Sequence, residues 1–381
     1  MRRPRPAVSL PVAALVAALL WPLPAGGSSA ATADLTAARV PARTVTASSA
    51  VDPARWGNRR LAAQLVISCV DMHHLDRARR QAARGIGAVT LLGTPPGNLR
   101  SRLRAVRDAA PGRVLPFVAS DEEGGLVQRL RSAIYRLPSA ETMGTWRPAK
   151  VRRTAAAYAT RMRGLGVRMD LAPVADLAIR GGYIDQLHRA FARDPDRVAR
   201  LVRAWRLGMA DEGVVTVVKH WPGHGAANGD SHLGPARVPP LDVLEGRELV
   251  PFDRELAGGA PVVMVGHLLS RGLTRDGVPT SLSPHALRYL RGTASPSTVV
   301  MTDSLAMGAV TSALGISTAQ ATVRALRAGA DWAMACDVAP MRAVSAVRAA
   351  LDDGRLPRDQ AVASARRILD LKAAWGLTPA S

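Results

Sequence analysis

The sequence predicts an α/β fold in which a single (β/α)₈ TIM-type barrel follows an N-terminal signal peptide. Two observations lead to this prediction. An apolar run follows a cluster of arginines at the N-terminus, and from residue 56 onward short apolar runs alternate with longer amphipathic segments. Alternating strands and helices are typical of a parallel sheet, and eight such units over residues 56–378 suit a closed barrel. An open doubly wound sheet is the alternative topology.

The N-terminus has the composition of a secretory signal. Arg2, Arg3 and Arg5 form a basic start, and Ala7–Leu20 is almost wholly apolar. This apolar run is shorter than the roughly 20 residues that span a bilayer, so we expect cleavage and export rather than an uncleaved anchor, which is the alternative. We expect an extracellular or cell-wall-associated protein. The predicted organisation is a signal peptide at 1–33, a linker rich in Ala, Thr and Ser at 34–55, and the barrel domain at 56–378.

The predicted strands are short, and most are apolar without alternation, as expected of strands buried on both faces. Helical patterns such as Val151–Leu165, Asp196–Asp211 and Ala319–Ala328 lie between them. In a parallel barrel the carboxyl ends of all strands meet at one rim, where catalytic side chains are usually found. The eight predicted strands are Leu65–Val70, Ala88–Leu92, Val114–Ala119, Arg168–Pro173, Val214–His220, Pro261–His267, Thr298–Asp303 and Ala333–Asp337.

Composition limits the classes of partner and cofactor. Lys and Arg total 51 against 30 Asp and Glu, a net charge of +21 that favours contact with an anionic surface such as a cell-wall polymer. Aromatic residues are only 4% and do not interleave with an arginine-rich helix, so we expect no nucleic-acid partner. We also expect no nucleotide cofactor, because no GxGxxG or P-loop motif is present. The rest of the chain contains no second long apolar run, so we expect no membrane insertion after the signal peptide is removed.

Only two cysteines are present, which excludes a disulfide-dense scaffold and a four-cysteine zinc site. Cys69 and Cys336 belong to the first and last predicted strands, and these strands are neighbours in a closed barrel. A disulfide between them is therefore a hypothesis for an exported protein. The alternative is two buried thiols that pack as small hydrophobic groups.

Polar residues follow several strands at the predicted rim. The segment from Lys219 to Gly225 contains Pro and Gly, so His220 and His224 cannot share a helix face as the zinc-binding histidines of HExxH do. We therefore expect no metal, although the two rings and nearby acids leave a metal-dependent hydrolase as an alternative. Arg129 follows Asp121 by eight residues and either returns to the site or points to solvent.

Two further motifs carry groups suited to catalysis. Asp230 lies two residues before His232, close enough to fix the tautomer of the ring and leave its other nitrogen free to exchange a proton. A solvated loop histidine is the alternative. Asp303 ends the seventh predicted strand and is either a helix N-cap or a nucleophile that points into the rim.

Four motifs, in this order, resemble glycoside hydrolase family 3, and within it the NagZ-type β-N-acetylhexosaminidases. They are DEEGGLVQRL (121–130), DLAPVADL (170–177), KHWPGH (219–224) with Asp230-Ser231-His232, and VVMTDSLAM (299–307). The likeness covers about residues 58–375. The resemblance implies a retaining double displacement with Asp303 as nucleophile, His232 as general acid/base and Asp230 as its partner. It also implies sugar-binding roles for Asp121, Arg129, Arg189, Lys219, His220, His267 and Met307.

The sequence therefore predicts an exported, exo-acting β-N-acetylglucosaminidase. We expect a monomer that releases N-acetylglucosamine from peptidoglycan fragments or chitin-like oligosaccharides. Leu126 occupies a position where many relatives carry Arg, which would alter contacts beyond the first sugar. A β-glucosidase is disfavoured because no room is left for the C-terminal domain that supplies the acid of many family glucosidases. A phosphorolytic enzyme is a further alternative, and a catalytically inactive sugar-binding protein is disfavoured because Asp303 and the Asp230–His232 pair are all present.

Overall fold

A computed structural model describes residues 51–275, 277–337 and 339–379. The predicted signal peptide at 1–33 and the predicted linker up to residue 50 lie outside the described residues. The described chain forms a closed barrel of eight parallel strands, which confirms the predicted fold class and excludes the open sheet. Each strand pairs with its neighbours in sequence, and the last pairs with the first. The strands are β1 Val66–Asp71, β2 Ala88–Leu92, β3 Phe117–Ser120, β4 Met169–Asp170, β5 Val215–Trp221, β6 Val262–Val265, β7 Val299–Ser304 and β8 Trp332–Ala335.

Helices surround the barrel, and their ends follow local sequence signals. The helices are α1 Asn58–Gln64, α2 Leu75–Ala82, α3 Leu99–Asp108, α4 Ala140–Gly144, α5 Pro148–Leu165, α6 Tyr183–Gln186, α7 Pro195–Asp211, α8 Leu241–Gly246, α9 Leu249–Ala257, α10 Pro284–Thr293, α11 Thr311–Leu314, α12 Thr318–Ala328, α13 Pro340–Asp352 and α14 Arg358–Ala374. Short 3₁₀ turns lie at Pro53–Arg55, Met72–His74, Pro111–Arg113 and Thr280–Leu282. Asp194 caps α7 by accepting a hydrogen bond from the Arg197 N–H, and Ser317 with Gln320 forms a capping box at α12.

The core is continuous between the barrel wall and the helices. All seven residues of β5 are buried, which explains why the apolar runs of the sequence do not alternate. Trp205 on α7 and Trp332 on β8 are among the largest fully buried side chains. Each buried aliphatic side chain contributes roughly 1.5–3 kcal/mol relative to an exposed one. In the part of the chain that the structure describes, no helix combines the length and apolarity required to cross a bilayer.

Two small two-stranded sheets lie at the rim of the barrel. Glu122–Gly124 pairs with Val127–Gln128 in a hairpin directly after β3, and Ala236–Arg237 pairs with Leu268–Leu269. Gly124 and Gly125 both have positive φ, and a Cβ at Gly124 would lie 2.0 Å from the Pro138 carbonyl oxygen. The two glycines are therefore required for the hairpin to fold back over the barrel mouth.

The N-terminal boundary of the barrel unit includes residues assigned above to the linker. Asp52 caps the turn Pro53–Arg55 and accepts a hydrogen bond from Arg366 of α14 at 3.0 Å. Arg358 of the same helix donates to the carbonyl oxygens of Ala54 and Trp56. Residues 51–55 therefore pack on the barrel as part of its surface.

The two cysteines are joined in a disulfide, which confirms the pairing hypothesis. Cys69 lies on β1, and Cys336 directly follows β8. Because β1 and β8 are the two strands that close the barrel, the bond links them covalently near the catalytic rim.

Candidate active site

A cavity of about 550 Å³ opens at the carboxyl ends of the barrel strands. Because strand ends converge there, residues far apart in the sequence share one wall. Eight of the ten site residues predicted from the sequence line this cavity: Asp121, Arg129, Arg189, Lys219, His220, His232, Asp303 and Met307. The remaining two, Asp230 and His267, lie behind residues of the wall.

Asp303 lies near the end of β7 with its carboxylate at the cavity surface. The N–H of Ser304 donates to its Oδ1 at 2.7 Å, and the next helix begins only at Thr311, so Asp303 is not a helix N-cap. Burial alone would raise its pKa, but His220 and the Ser304 N–H outweigh burial and lower the pKa to about 2. The carboxylate is therefore ionised at neutral pH, as a nucleophile requires.

His232 lies on the long loop after β5. Its side chain is 56% exposed, and Nδ1 lies 2.7 Å from Oδ1 of Asp230. An ionised carboxylate only accepts hydrogen bonds, so Nδ1 carries the proton and Nε2 is left free to exchange one with a ligand. The backbone N–H of His232 also donates to Asp230 at 2.9 Å, which fixes the pair as one unit.

Backbone hydrogen bonds tie the His232 loop to the segment that follows Asp303. The N–H of Gly308 donates to the His232 carbonyl at 2.9 Å, and the N–H of Ala309 donates to the Ser231 carbonyl at 3.1 Å. A Cβ at Gly308 would lie 2.4 Å from the Leu233 carbonyl oxygen, so only glycine permits this approach. The two loops therefore hold the imidazole and the carboxylate against the same cavity.

A buried ionic cluster forms another side of the cavity. Lys219 Nζ donates to Asp121 at 2.8 Å and to Glu123 at 2.7 Å, while Arg189 donates twice to Glu123 at 2.7 and 2.8 Å. Burial opposes ionisation of Glu123, but Lys219 and Arg189 hold its pKa well below the usual range. The two acids and two bases balance in charge, so their side chains stay ordered at the wall without a bound ligand.

Arg129 returns to the cavity because the hairpin reverses the chain after Asp121. Its N–H donates to the Asp121 carbonyl at 3.2 Å, and its side chain lines the cavity. The Nε atom is buried and has no hydrogen-bond partner within the described residues. Arg129 therefore offers an unused donor to a ligand.

His267 is placed differently from the expectation that it contacts the sugar. The strand β6 ends at Val265, and the His267 ring is fully buried behind Ser304. Its Nε2 donates to the Ser304 carbonyl at 2.8 Å, and its Nδ1 accepts from the Ser281 hydroxyl at 2.7 Å. Burial lowers its pKa, which agrees with a neutral ring. His267 therefore supports the backbone beside Asp303 and is not available to a ligand.

Three residues of the site were missed by the sequence analysis. Glu123 appeared in the sequence analysis only as part of the DEEGGLVQRL motif, although it binds both Lys219 and Arg189. Asp176 is fully buried, and its carboxylate accepts from the Nδ1 and backbone N–H of His220 and from the His224 N–H, at 2.7–3.2 Å. Its position at the end of the DLAPVADL motif was the available signal.

Tyr183 is the third residue that the sequence analysis missed. Its ring lies 6.0 Å from that of His224 and 6.3 Å from that of His232, and it lines the cavity. Burial and then the neighbouring Asp230 raise the pKa of its hydroxyl. Tyr183 thus lies beside both members of the Asp230–His232 pair.

The histidines of the KHWPGH motif are held by protein groups. His220 Nδ1 bonds to Asp176, and His224 Nε2 lies 2.9 Å from the Ser231 hydroxyl. Over residues 51–275, 277–337 and 339–379, no group of three His, Cys, Asp or Glu side chains is arranged to hold a metal ion. The arrangement instead provides an anion, a proton donor on a loop and fixed hydrogen-bond donors, which suits displacement at a carbon that bears an oxygen leaving group.

Comparison with known proteins agrees with this geometry. The model of the glycosyl hydrolase family 3 N-terminal domain matches residues 82–371. Beta-hexosaminidase LpqI of Mycobacterium tuberculosis is 40% identical over 274 residues, which cover 69% of this chain and 70% of that protein.

Solved structures show the same architecture. A family 3 glycosyl hydrolase from Mycobacterium smegmatis superposes with a TM-score of 0.77 at 37% identity, covering 84% of this chain and 98% of that one. A family 3 β-N-acetylglucosaminidase from Paenibacillus sp. superposes with a TM-score of 0.78 at 27% identity, covering 84% of this chain and 62% of that one.

Proposed function

Because the chain belongs to glycosyl hydrolase family 3, we propose that it is a retaining, exo-acting β-N-acetylglucosaminidase. The observation that carries this proposal is that Asp303, near the end of β7, and the Asp230–His232 pair, on the loop after β5, face one cavity. Backbone hydrogen bonds join that loop to the segment that follows Asp303. The names of the similar hexosaminidases support N-acetylglucosamine as the sugar released.

In the first step the Asp303 carboxylate attacks the anomeric carbon of the bound sugar. The bond from that carbon to the leaving oxygen breaks, and Nε2–H of the His232 imidazolium gives its proton to the leaving oxygen. Asp230 stabilises the positive ring through Nδ1–H. The products of this step are a glycosyl ester on Asp303, a neutral His232 and the released alcohol.

In the second step water hydrolyses the ester. Neutral His232 takes a proton from water at Nε2, the water oxygen attacks the anomeric carbon, and the carbon–Asp303 bond breaks. Asp303 returns to its carboxylate and His232 to its imidazolium. Two inversions give overall retention. Most retaining glycosidases use a second carboxyl group as the acid, and here a histidine with a carboxylate partner takes that role.

The remaining wall residues hold the sugar in place. Lys219 and Asp121 present a charged donor and acceptor, and Arg129 adds its unpaired Nε. Charge-assisted bonds to fixed donors orient hydroxyl groups more strongly than neutral bonds do. Met307 supplies an apolar surface on the same wall. We assign binding roles to Asp121, Arg129, Arg189, Lys219, His220 and Met307.

For location, we propose export followed by action on peptidoglycan fragments or chitin-like oligosaccharides, by a monomer. The signal-like composition of residues 1–33 and the charge of +21 support this proposal. N-terminal sequencing of protein recovered from the culture medium tests export, and light scattering on the purified protein tests the monomer. An intact N-terminus in the membrane fraction would contradict export.

The central test compares 4-nitrophenyl N-acetyl-β-glucosaminide with 4-nitrophenyl β-glucoside. We expect the N-acetyl substrate to be preferred, turnover to persist in EDTA, and the first-formed sugar to be the β-anomer by NMR. Preference for the glucoside, an α-anomer product, or loss of activity in EDTA would each contradict the proposal. Release that depends on added phosphate would identify a phosphorolytic enzyme instead.

A further inference from the structure

The structure assigns a second binding site to the outer surface of the barrel, one that takes a phosphate group. Three arginines of α3 and one at the end of α5 surround a cavity of about 150 Å³. No carboxylate contributes to the cavity lining that the described residues form, and none of these arginines belongs to the catalytic wall. The lining residues are Arg100, Arg104, Arg107, Arg163, Gly164, Leu165 and Gly166.

The sequence spacing explains why the three α3 side chains converge. Arg100, Arg104 and Arg107 are separated by four and three residues, which places them on one face of a helix. The helix α5 ends at Leu165, and Gly166 adopts φ +96°, so the chain turns away and leaves an opening beside Arg163. A Cβ added at Gly164 would meet no atom within 4 Å, which agrees with open space at this point.

The arginines of this cavity lack the acids that neutralise arginines elsewhere on the same helix. Arg102 of α3 lies 3.9 Å from Asp76, whereas Arg100, Arg104 and Arg107 form no ion pair with any described residue. The fourth arginine, Arg163, lies 3.9 Å from Glu212, so one acid stands against the four arginines. Like charges that converge without an acid repel each other, and an anion between them removes that repulsion.

A buried donor points to the same conclusion. Arg107 is half-buried, and its Nε has no hydrogen-bond partner among the described groups. Buried polar atoms in folded proteins are nearly always bonded to protein or to a ligand or water, so this Nε indicates a missing acceptor.

Helix dipoles explain only part of the cluster. Arg107 and Arg163 lie in the last turns of their helices, where a cation is favoured. Arg100 is the second residue of α3, where the dipole disfavours a cation, and Arg104 lies in the middle of the helix. Stabilisation of helix ends therefore does not account for four arginines around one cavity.

The chemistry of the donors favours phosphate. A guanidinium group presents paired N–H donors that match the oxygens of a phosphate. A carboxylate has only two oxygens, and a single guanidinium group can bind both of them. Four guanidinium groups suit an anion with three or four oxygens. Barrel helices run antiparallel to the strands, so the C-terminal ends of α3 and α5, which carry Arg107 and Arg163, lie toward the face opposite the catalytic rim. A phosphate-bearing ligand held there leaves the catalytic cavity open.

Calorimetric titration of the purified full-length protein tests this site. Sodium phosphate and a polyphosphate of defined length are titrated separately at constant ionic strength, because screening alone alters arginine–phosphate attraction. We expect saturable binding to the unaltered protein and at least tenfold weaker binding to the variant Arg100→Gln/Arg104→Gln. Affinity that rises with chain length identifies a polymeric phosphate as the source, and equal affinity per phosphate identifies a small phosphate.

The matched control is Arg324→Gln/Arg327→Gln on α12. Both arginines are exposed and lack an ion pair among the described residues, and their replacement removes the same amount of charge. We expect its affinity to stay within twofold of the unaltered protein. Absence of saturable binding, or equal weakening in the two double variants, overturns the assignment. Arg107→Lys keeps the charge but removes Nε, and unchanged affinity in that variant also contradicts the site. Hydrolysis of the aryl substrate stays unchanged in both double variants, which separates this site from the catalytic cavity.

Discussion

Replacement of Glu123 by glutamine tests whether the buried ionic cluster determines both folding and sugar binding. The Glu123 carboxylate accepts two hydrogen bonds from Arg189 and one from Lys219, all at 2.7–2.8 Å. The variant Glu123→Gln preserves the shape of the side chain and removes its charge. Lys219 then keeps Asp121 as its bonded acid, whereas Arg189 loses both of its ionic hydrogen bonds.

The expected cost is large because the cluster is buried. Removal of one partner from a buried ion pair costs about 3–5 kcal/mol of stability. If the substitution also moves Arg189 or Lys219 away from the sugar, one charge-assisted hydrogen bond to the sugar is lost. Such a bond contributes about 1.5–3 kcal/mol, so kcat/KM falls roughly ten- to a hundredfold. Because the pKa of Glu123 is held far below the ordinary glutamate value of 4.5, this stability is present above about pH 4.5 and is lost as the pH falls below it.

The adjacent Glu122 provides a matched control, because it is equally buried but has no cationic partner. Burial raises its pKa from 4.5 to about 7, against hydrogen bonds from Ser120, Tyr158 and Leu130. At pH 4 the side chain is protonated in both the folded and the unfolded chain, and the glutamine amide matches the neutral acid in charge and approximate shape. We therefore expect Glu122→Gln to change the free energy of unfolding by less than about 1 kcal/mol at pH 4.

Above about pH 4.5 the control diverges in a defined direction, and at pH 6 we expect Glu122→Gln to be about 2 kcal/mol more stable than the unaltered protein. Native Glu122 keeps its proton up to about pH 7, whereas the unfolded chain releases it near 4.5, so stability falls as the pH rises between these values. At about 1.36 kcal/mol per unit, the fall reaches about 3 kcal/mol, and Glu122→Gln abolishes it. Guanidinium unfolding from pH 4 to 8 measures both variants. Equal losses in the two variants at pH 6, or a loss below about 1 kcal/mol in Glu123→Gln, would refute the reasoning.

The catalytic residues give three further predictions. Asp303→Asn reduces turnover of the aryl glycoside by at least about a thousandfold, because the nucleophile is lost, and near-normal turnover would disprove the assignment. His232→Ala slows disaccharides more than activated aryl glycosides, measured as kcat/KM, and equal slowing would argue against an acid role. Tyr183→Phe removes the hydroxyl beside Asp230 and lowers kcat on disaccharides several-fold with thermal stability and KM unchanged, whereas a parallel loss of stability would indicate a purely structural role.

Much of the fold was predictable from the sequence because the barrel strands are buried on both faces. The first half of β5, Val215–Val218, is mainly apolar and β-branched with every residue buried, and the strand continues through Lys219 and His220 to Trp221 at the rim. The disulfide was predictable for a related reason. Once the barrel closes, its first and last strands are neighbours, so Cys69 and Cys336 are brought together by topology alone.

The sequence could not specify side-chain direction at the strand ends. His267 follows β6 as Asp303 ends β7, yet the ring of His267 points behind the wall and the carboxylate of Asp303 points into the cavity. Glu123 and Asp176 were missed because their partners are distant in the sequence. Arg189 lies 66 residues after Glu123, and His220 lies 44 residues after Asp176. Such pairs become visible only when separate strands meet at one rim.

The two hydrogen bonds donated by the backbone N–H groups of Gly308 and Ala309 constrain how the loop that carries His232 can evolve. Both hydrogen bonds join main-chain atoms, so most side-chain substitutions in the loop leave the distance between His232 and Asp303 unchanged. Leu233, directly after His232, is 81% exposed and contributes only its backbone to this junction. The side chain at that position can therefore change without disturbing the chemistry one residue away.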